Sequence, residues 1–134
     1  MPIAQTMTNT FKARLFASLT TDTLKMALYT AAADLGAATA VYTASNEVVA
    51  AGYTAGGNIL TGVTVTTTGN TVFLSFNNPT WTAALTARGA LIYNVTQANA
   101  AIAVLNFGAD KTSVTTFTVQ LPVNNANSAV IRIV

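Results

Sequence analysis

Apolar and polar residues alternate with a period of two along much of this chain, the spacing that puts successive side chains on opposite faces of a β-strand. Residues 23–30 turn Leu24, Met26 and Leu28 one way and Lys25, Ala27 and Tyr29 the other. In residues 59–67, Val63 and Val65 alternate with threonine, and in 71–77 Val72, Leu74 and Phe76 alternate with Thr71, Phe73 and Ser75. Gly69 and Asn70 lie between these two runs, so the pair is expected to be a hairpin. Pro79 ends it, and Trp81 opens a segment that leads through Arg88 and Gly89 to an apolar strand at 90–94. The run 102–107 fits a buried strand, and 108–111 reads as a turn. Phe117, Val119 and Leu121 share one face before Pro122, and Ile131 and Ile133 oppose Arg132 in a last strand over 129–134.

The amino-terminal end follows a different pattern. Residues 1–8 are uncharged and aperiodic and contain Pro2, which describes an arm that orders only against a partner. Asn9 or Thr10 can cap a helix over 11–19, with Phe11, Leu15, Phe16 and Leu19 on one apolar face and Lys12 and Arg14 pointing elsewhere. At about two turns, such a helix needs to dock on a sheet to be stable. Asp34 and Gly36 suggest a turn, and Gly56 and Gly57 a loop with close backbone approach. Seven or eight short strands after one short N-terminal helix predict a mainly β protein, an antiparallel β-sandwich or jelly roll. The expected organisation is an arm at 1–8 and a single domain at 9–134, a length that suits one core.

Composition changes the picture in one respect. Hydrophobic residues make up 51%, ample for a core, whereas charged residues make up 7%, against about 25% in ordinary soluble domains. Threonine, asparagine, serine and glutamine occupy the polar positions, and they do not repel like copies of the same chain. A surface that spends its life against neighbours loses little by this, so the balance points toward assembly; a secreted β-domain, also rich in these residues, fits composition equally well. Six basic residues are scattered against four acidic ones, a net charge of +2 with no basic patch, so no specific nucleic-acid partner is expected. No apolar run approaches the roughly 18 residues of a membrane helix. The first residues lack a basic stretch followed by an apolar one, so synthesis without export is the expectation.

The chain has no histidine and no cysteine, which removes the commonest general base, the commonest metal ligand and the thiolate nucleophile. Asp22, Asp34, Glu47 and Asp110 are too dispersed for a calcium loop, and Gly56 and Gly57 lack the Lys-Ser or Lys-Thr of a phosphate loop. Neither catalysis nor any cofactor or metal is expected. Tyr29, Tyr42, Tyr53, Trp81 and Tyr93 suit a core, an interface or sugar stacking, with packing the default. Arg88 has Glu47, Asp22 or a neighbouring subunit as possible partners. The candidate interface residues are Phe11, Tyr53, Trp81, Arg88 and Tyr93.

Several segments together carry a family likeness: Phe11-Lys12, Leu24-Lys25-Met26-Ala27-Leu28-Tyr29-Thr30, Val41-Tyr42-Thr43, Glu47-Val48, Gly52-Tyr53-Thr54-Ala55-Gly56-Gly57 with Leu60 following, Trp81-Thr82, Ala87-Arg88-Gly89-Ala90-Leu91-Ile92-Tyr93-Asn94 and Leu105-Asn106-Phe107-Gly108. The pattern resembles small structural proteins of tailed bacteriophages, and in size and strand number the jelly-roll cement or decoration proteins of capsids. The resemblance implies a non-catalytic virion protein on the capsid surface, made in the host bacterial cytoplasm. Its partners would be itself, as dimer or trimer, and the major capsid protein. A tail or head-tail connector component, or a carbohydrate-binding adhesive domain, are the alternatives.

Overall fold

Strand pairing follows the period-two segments closely. The structure, a computed structural model, describes residues 3–123 and 125–134. Helix α1 (Asn9–Phe16) runs into a 3₁₀ turn (Ala17–Thr20). The strands are β1 (Leu24–Tyr29), β2 (Asn58–Ile59), β3 (Thr64–Thr68), β4 (Thr71–Ser75), β5 (Thr80–Trp81), β6 (Thr86–Asn94), β7 (Ala100–Thr112), β8 (Phe117–Thr118) and β9 (Ile131–Ile133). A four-stranded sheet has the order β2-β1-β6-β7, a three-stranded sheet β3-β4-β9, and β5 pairs with β8. Every pairing is antiparallel, giving the expected mainly β, sandwich-like architecture with one short N-terminal helix.

The β3–β4 hairpin forms at the expected turn, with Thr68 opposite Thr71 across Gly69 and Asn70. The main core lies between the sheets. Leu24, Met26 and Leu28 of β1 meet Ala90 and Ile92 of β6, Leu74 of β4, and Phe76, Trp81 and Phe117. The opposite faces of β1 and β6 are also buried: Ala27, Tyr29, Leu91 and Tyr93 form a second cluster covered by Ala33, Leu35 and Tyr42. The long connection between β1 and β2 therefore lies over the back of the large sheet. A strand buried on both faces tolerates few polar side chains, which explains the apolar run at 89–93 of β6.

That connection also completes the edge of β1. Asn58 and Ile59 pair with Met26 and Lys25 at one end, while the bridge between Tyr29 and Glu47 closes the other. The chain fits this tightly because residue 57 is glycine: at φ +79°, a Cβ there would lie 1.8 Å from the Met26 carbonyl oxygen.

Three local expectations need correction. The run 102–107 is not a buried strand: it belongs to β7, the outer strand of the large sheet, and its residues are partly buried or exposed. Residues 108–111 are not a turn between strands but part of a bulge inside β7. Ala87 pairs with Lys111 and Gly89 with Asn106, so the residues between bow outward opposite Arg88. Asn106 Oδ1 accepts the Gly108 N–H (2.9 Å), and Gly108 sits at φ +80°. The helix begins earlier than expected, is capped by Thr8, whose hydroxyl accepts the Phe11 N–H (3.3 Å), and ends sooner.

Candidate functional site

Two constellations stand apart from ordinary packing: a buried carboxylate ringed by tyrosines, and an apolar stripe on the outside of α1.

Glu47 is only 6% exposed. Its Oε1 accepts the Tyr42 hydroxyl (2.5 Å), and its Oε2 accepts the Tyr53 hydroxyl (2.5 Å) and the Gly56 N–H (2.8 Å). Tyr53 in turn accepts the Leu28 N–H (2.8 Å), so its phenol links β1 to the carboxylate. Tyr93 donates to the Gly56 carbonyl (2.6 Å) and stacks on Tyr42 at 4.8 Å, and Tyr29 donates to the Thr43 carbonyl (2.6 Å). Burial raises all four phenol pKa values, and the neighbouring Glu47 charge raises them further. Each phenol therefore stays a neutral donor. The arrangement pins the connection between β1 and β2 to the large sheet; enclosed as it is, the carboxylate is not open to a solute. The sequence shows no sign of this cluster, because the donors to Glu47 converge only after the connection folds back on β1.

On α1 the expected orientation is reversed for Phe11, Leu15 and Lys12, while Phe16 and, in the turn that follows, Leu19 face inward as expected. Lys12 is buried (3% exposed) while Phe11 and Leu15 are 50% and 49% exposed. The helix packs on β3 and β4 through Asn9, Lys12 and Phe16, one face at helical spacing. The Lys12 ammonium donates to the Asn70 carbonyl (2.7 Å) and the Asn9 amide to the Gly69 carbonyl (3.1 Å), so these two side chains serve the hairpin turn. The lysine stem covers apolar surface while its charged end meets an acceptor, which removes the cost of burying it unpaired. Phe11 and Leu15 are thereby turned out. Met7 is half exposed and Ile3 fully so, adding exposed apolar side chains in the non-helical arm that precedes α1.

Of the five candidate interface residues, Phe11 and Arg88 are on the surface. Tyr53, Trp81 and Tyr93 are in the core, where they present no face to a partner or a sugar ring. Trp81 packs between Tyr53 (6.2 Å) and Phe117 (6.4 Å). Arg88 pairs with neither Glu47 nor Asp22: its Nε donates to Asp110 Oδ1 (2.9 Å) across the β7 bulge. Asp22 accepts the Asn94 amide (2.8 Å).

Among the described residues, no group of three or more acidic side chains is gathered where it could hold a metal ion, and no helix is long and apolar enough to cross a membrane. No family profile, curated protein or solved structure matches this chain.

Proposed function

We propose that this chain is a non-catalytic structural protein of a bacteriophage virion, a cement or decoration subunit that binds the major capsid protein lattice. The observation that carries the reading is the outward apolar line of Phe11 and Leu15 along α1 on a chain with 7% charged residues. A monomer living alone in solution has reason to bury such a line, and the helix had the means to do so, because rolling it would exchange Lys12 for Phe11. A partner surface supplies the missing burial. Contacts built on apolar area and threonine or asparagine hydrogen bonds are less sensitive to salt than charge-driven ones. Repeated over a shell, modest contacts suffice, because each bound copy raises the effective concentration of its neighbours.

Purified particles analysed by quantitative mass spectrometry and cryo-electron microscopy test this. Shell-wide copy number, retained in moderate salt and reduced by Phe11→Ser, is expected. Absence from particles, or release by moderate salt alone, would refute the cement role.

A further inference from the structure

Among the described residues, the outer edge of β7 beyond Ala101 and arm residues 3–7 are both without partners, and their chemistry matches. β7 is the last strand of the large sheet. Its first residues are covered: Asn99 accepts from Tyr42 (2.9 Å), and Ala101 donates to Ala40 (2.9 Å). Beyond Ala101, among the described residues, no backbone hydrogen bond reaches the outer side of the strand. The register is regular from Ala103 to Asn106, between the irregularity beside Ile92 and the bulge opposite Arg88. Every second residue of such a stretch directs its N–H and C=O away from β6. A groove of about 460 Å³ runs beside it, walled by Gly36, Ala37 and Thr39 on one side and β7 residues 101–104 on the other.

Residues 3–8 are exposed throughout and lie outside the folded body; residues 3–7 make no hydrogen bond to the rest of the chain among the described residues. Neither the arm nor residues 100–109 of β7 contain a charged residue, so pairing them desolvates no charge. The arm is tethered where Asn9 and Lys12 hold the β3–β4 turn, on a different sheet from β7. Six extended residues span roughly 20 Å, more than the free stretch of edge requires.

We infer that the arm of one copy adds as a strand to the free β7 edge of a second copy. In an extended arm Ile3, Gln5 and Met7 share one face and Ala4 and Thr6 the other. With Ile3 and Met7 on the side of Ala103, Leu105 and Phe107, they cover side chains that are only partly buried in the free chain. The small Ala4 and Thr6 then fall on the side of Val104 and the Gly36–Ala37–Thr39 wall, where a larger side chain would not fit as readily. This contact rests on edge geometry and not on the virion reading: a chain that associates this way yet is absent from particles upholds one and overturns the other.

The absence of native cysteine allows a direct test. Thr6→Cys and Val104→Cys chains, mixed under mild oxidation, are expected to give a mixed disulfide, whereas Thr6→Cys with Val114→Cys, exposed elsewhere, is not. In sedimentation velocity, deleting residues 3–7 or making Val104→Lys is expected to weaken self-association by about tenfold or more, since several backbone hydrogen bonds are lost. The deletion removes nothing the fold uses, so its result does not depend on stability. A full chain that is monomeric at every concentration, a deleted chain that associates as tightly as the intact one, or Val104→Cys chains linking only to each other would each overturn the inference.

Discussion

Glu47 has no basic partner: among the described residues the ion pair formed is that of Arg88 and Asp110. Its charge is held instead by two phenols and a backbone N–H, and the two phenols are unequal. Tyr53 is buried and carries a second bond from Leu28, whereas Tyr42 is only half-buried and water can replace its hydroxyl. Tyr53→Phe is therefore expected to cost about 1–3 kcal/mol, because it leaves a buried carboxylate oxygen and a strand N–H short of partners, and Tyr42→Phe clearly less. Urea unfolding of the two variants measures this, and equal losses would contradict the account. The same ring sets the alkaline limit of the fold. All four tyrosines of the chain have phenol pKa values raised above the ordinary 10.0, so above that pH the unfolded chain gives up protons that the folded chain retains. The stabilisation is complete below pH 10 and is lost progressively as pH rises toward the folded values. Phenolate absorbance near 295 nm is expected to appear together with loss of far-ultraviolet circular dichroism; phenolate at an ordinary pH in a still-folded chain would count against the cluster.

At the scale of elements, α1 offers the sharpest contrast between pattern and packing. Its eight residues place only Lys12 and Phe16 fully inward, and two positions are too few for periodicity to decide which way a helix rolls. The decision is made by carbonyls at Gly69 and Asn70, far along the chain, that need donors once the hairpin has turned. Lys12→Met, which keeps the stem and removes the ammonium, is expected to destabilise by about 1–2 kcal/mol. Phe11→Ser, by contrast, is expected to stay within about 0.5 kcal/mol, as at other exposed positions. Thermal unfolding ranks the two, and the reverse order would mean that the helix is rolled the other way. The strands were far more legible. β1, β3, β4 and β6 each carry alternation or an apolar run bounded by turn residues, and a strand's faces follow from that period alone. The β7 bulge was not legible: Gly108 signals positive φ, but whether it marks a turn or a bulge depends on β6 lying alongside. The partners of Arg88 and Glu47 were hidden for the same reason, since each is created by a pairing between distant segments.

For the whole molecule, the large sheet is held from both sides, by the main core and by the covered back face, and the small sheet is joined to it through Leu74 and Phe76. The central pair of the large sheet is β1 with β6, strands separated in the chain by β2, β3, β4 and β5, while β4 finds its second neighbour only at β9. Apart from β3–β4 and β6–β7, the pairings close long loops. Such topology makes folding slow, because the entropy of bringing distant segments together is lost before their contacts form. Stopped-flow refolding is expected on the millisecond-to-second scale, and a microsecond phase accounting for the whole signal would be incompatible with this topology. During that interval the apolar β6 has neither of its covers, so the newly made chain is most prone to aggregate after the hairpin has formed and before β1 has found its place.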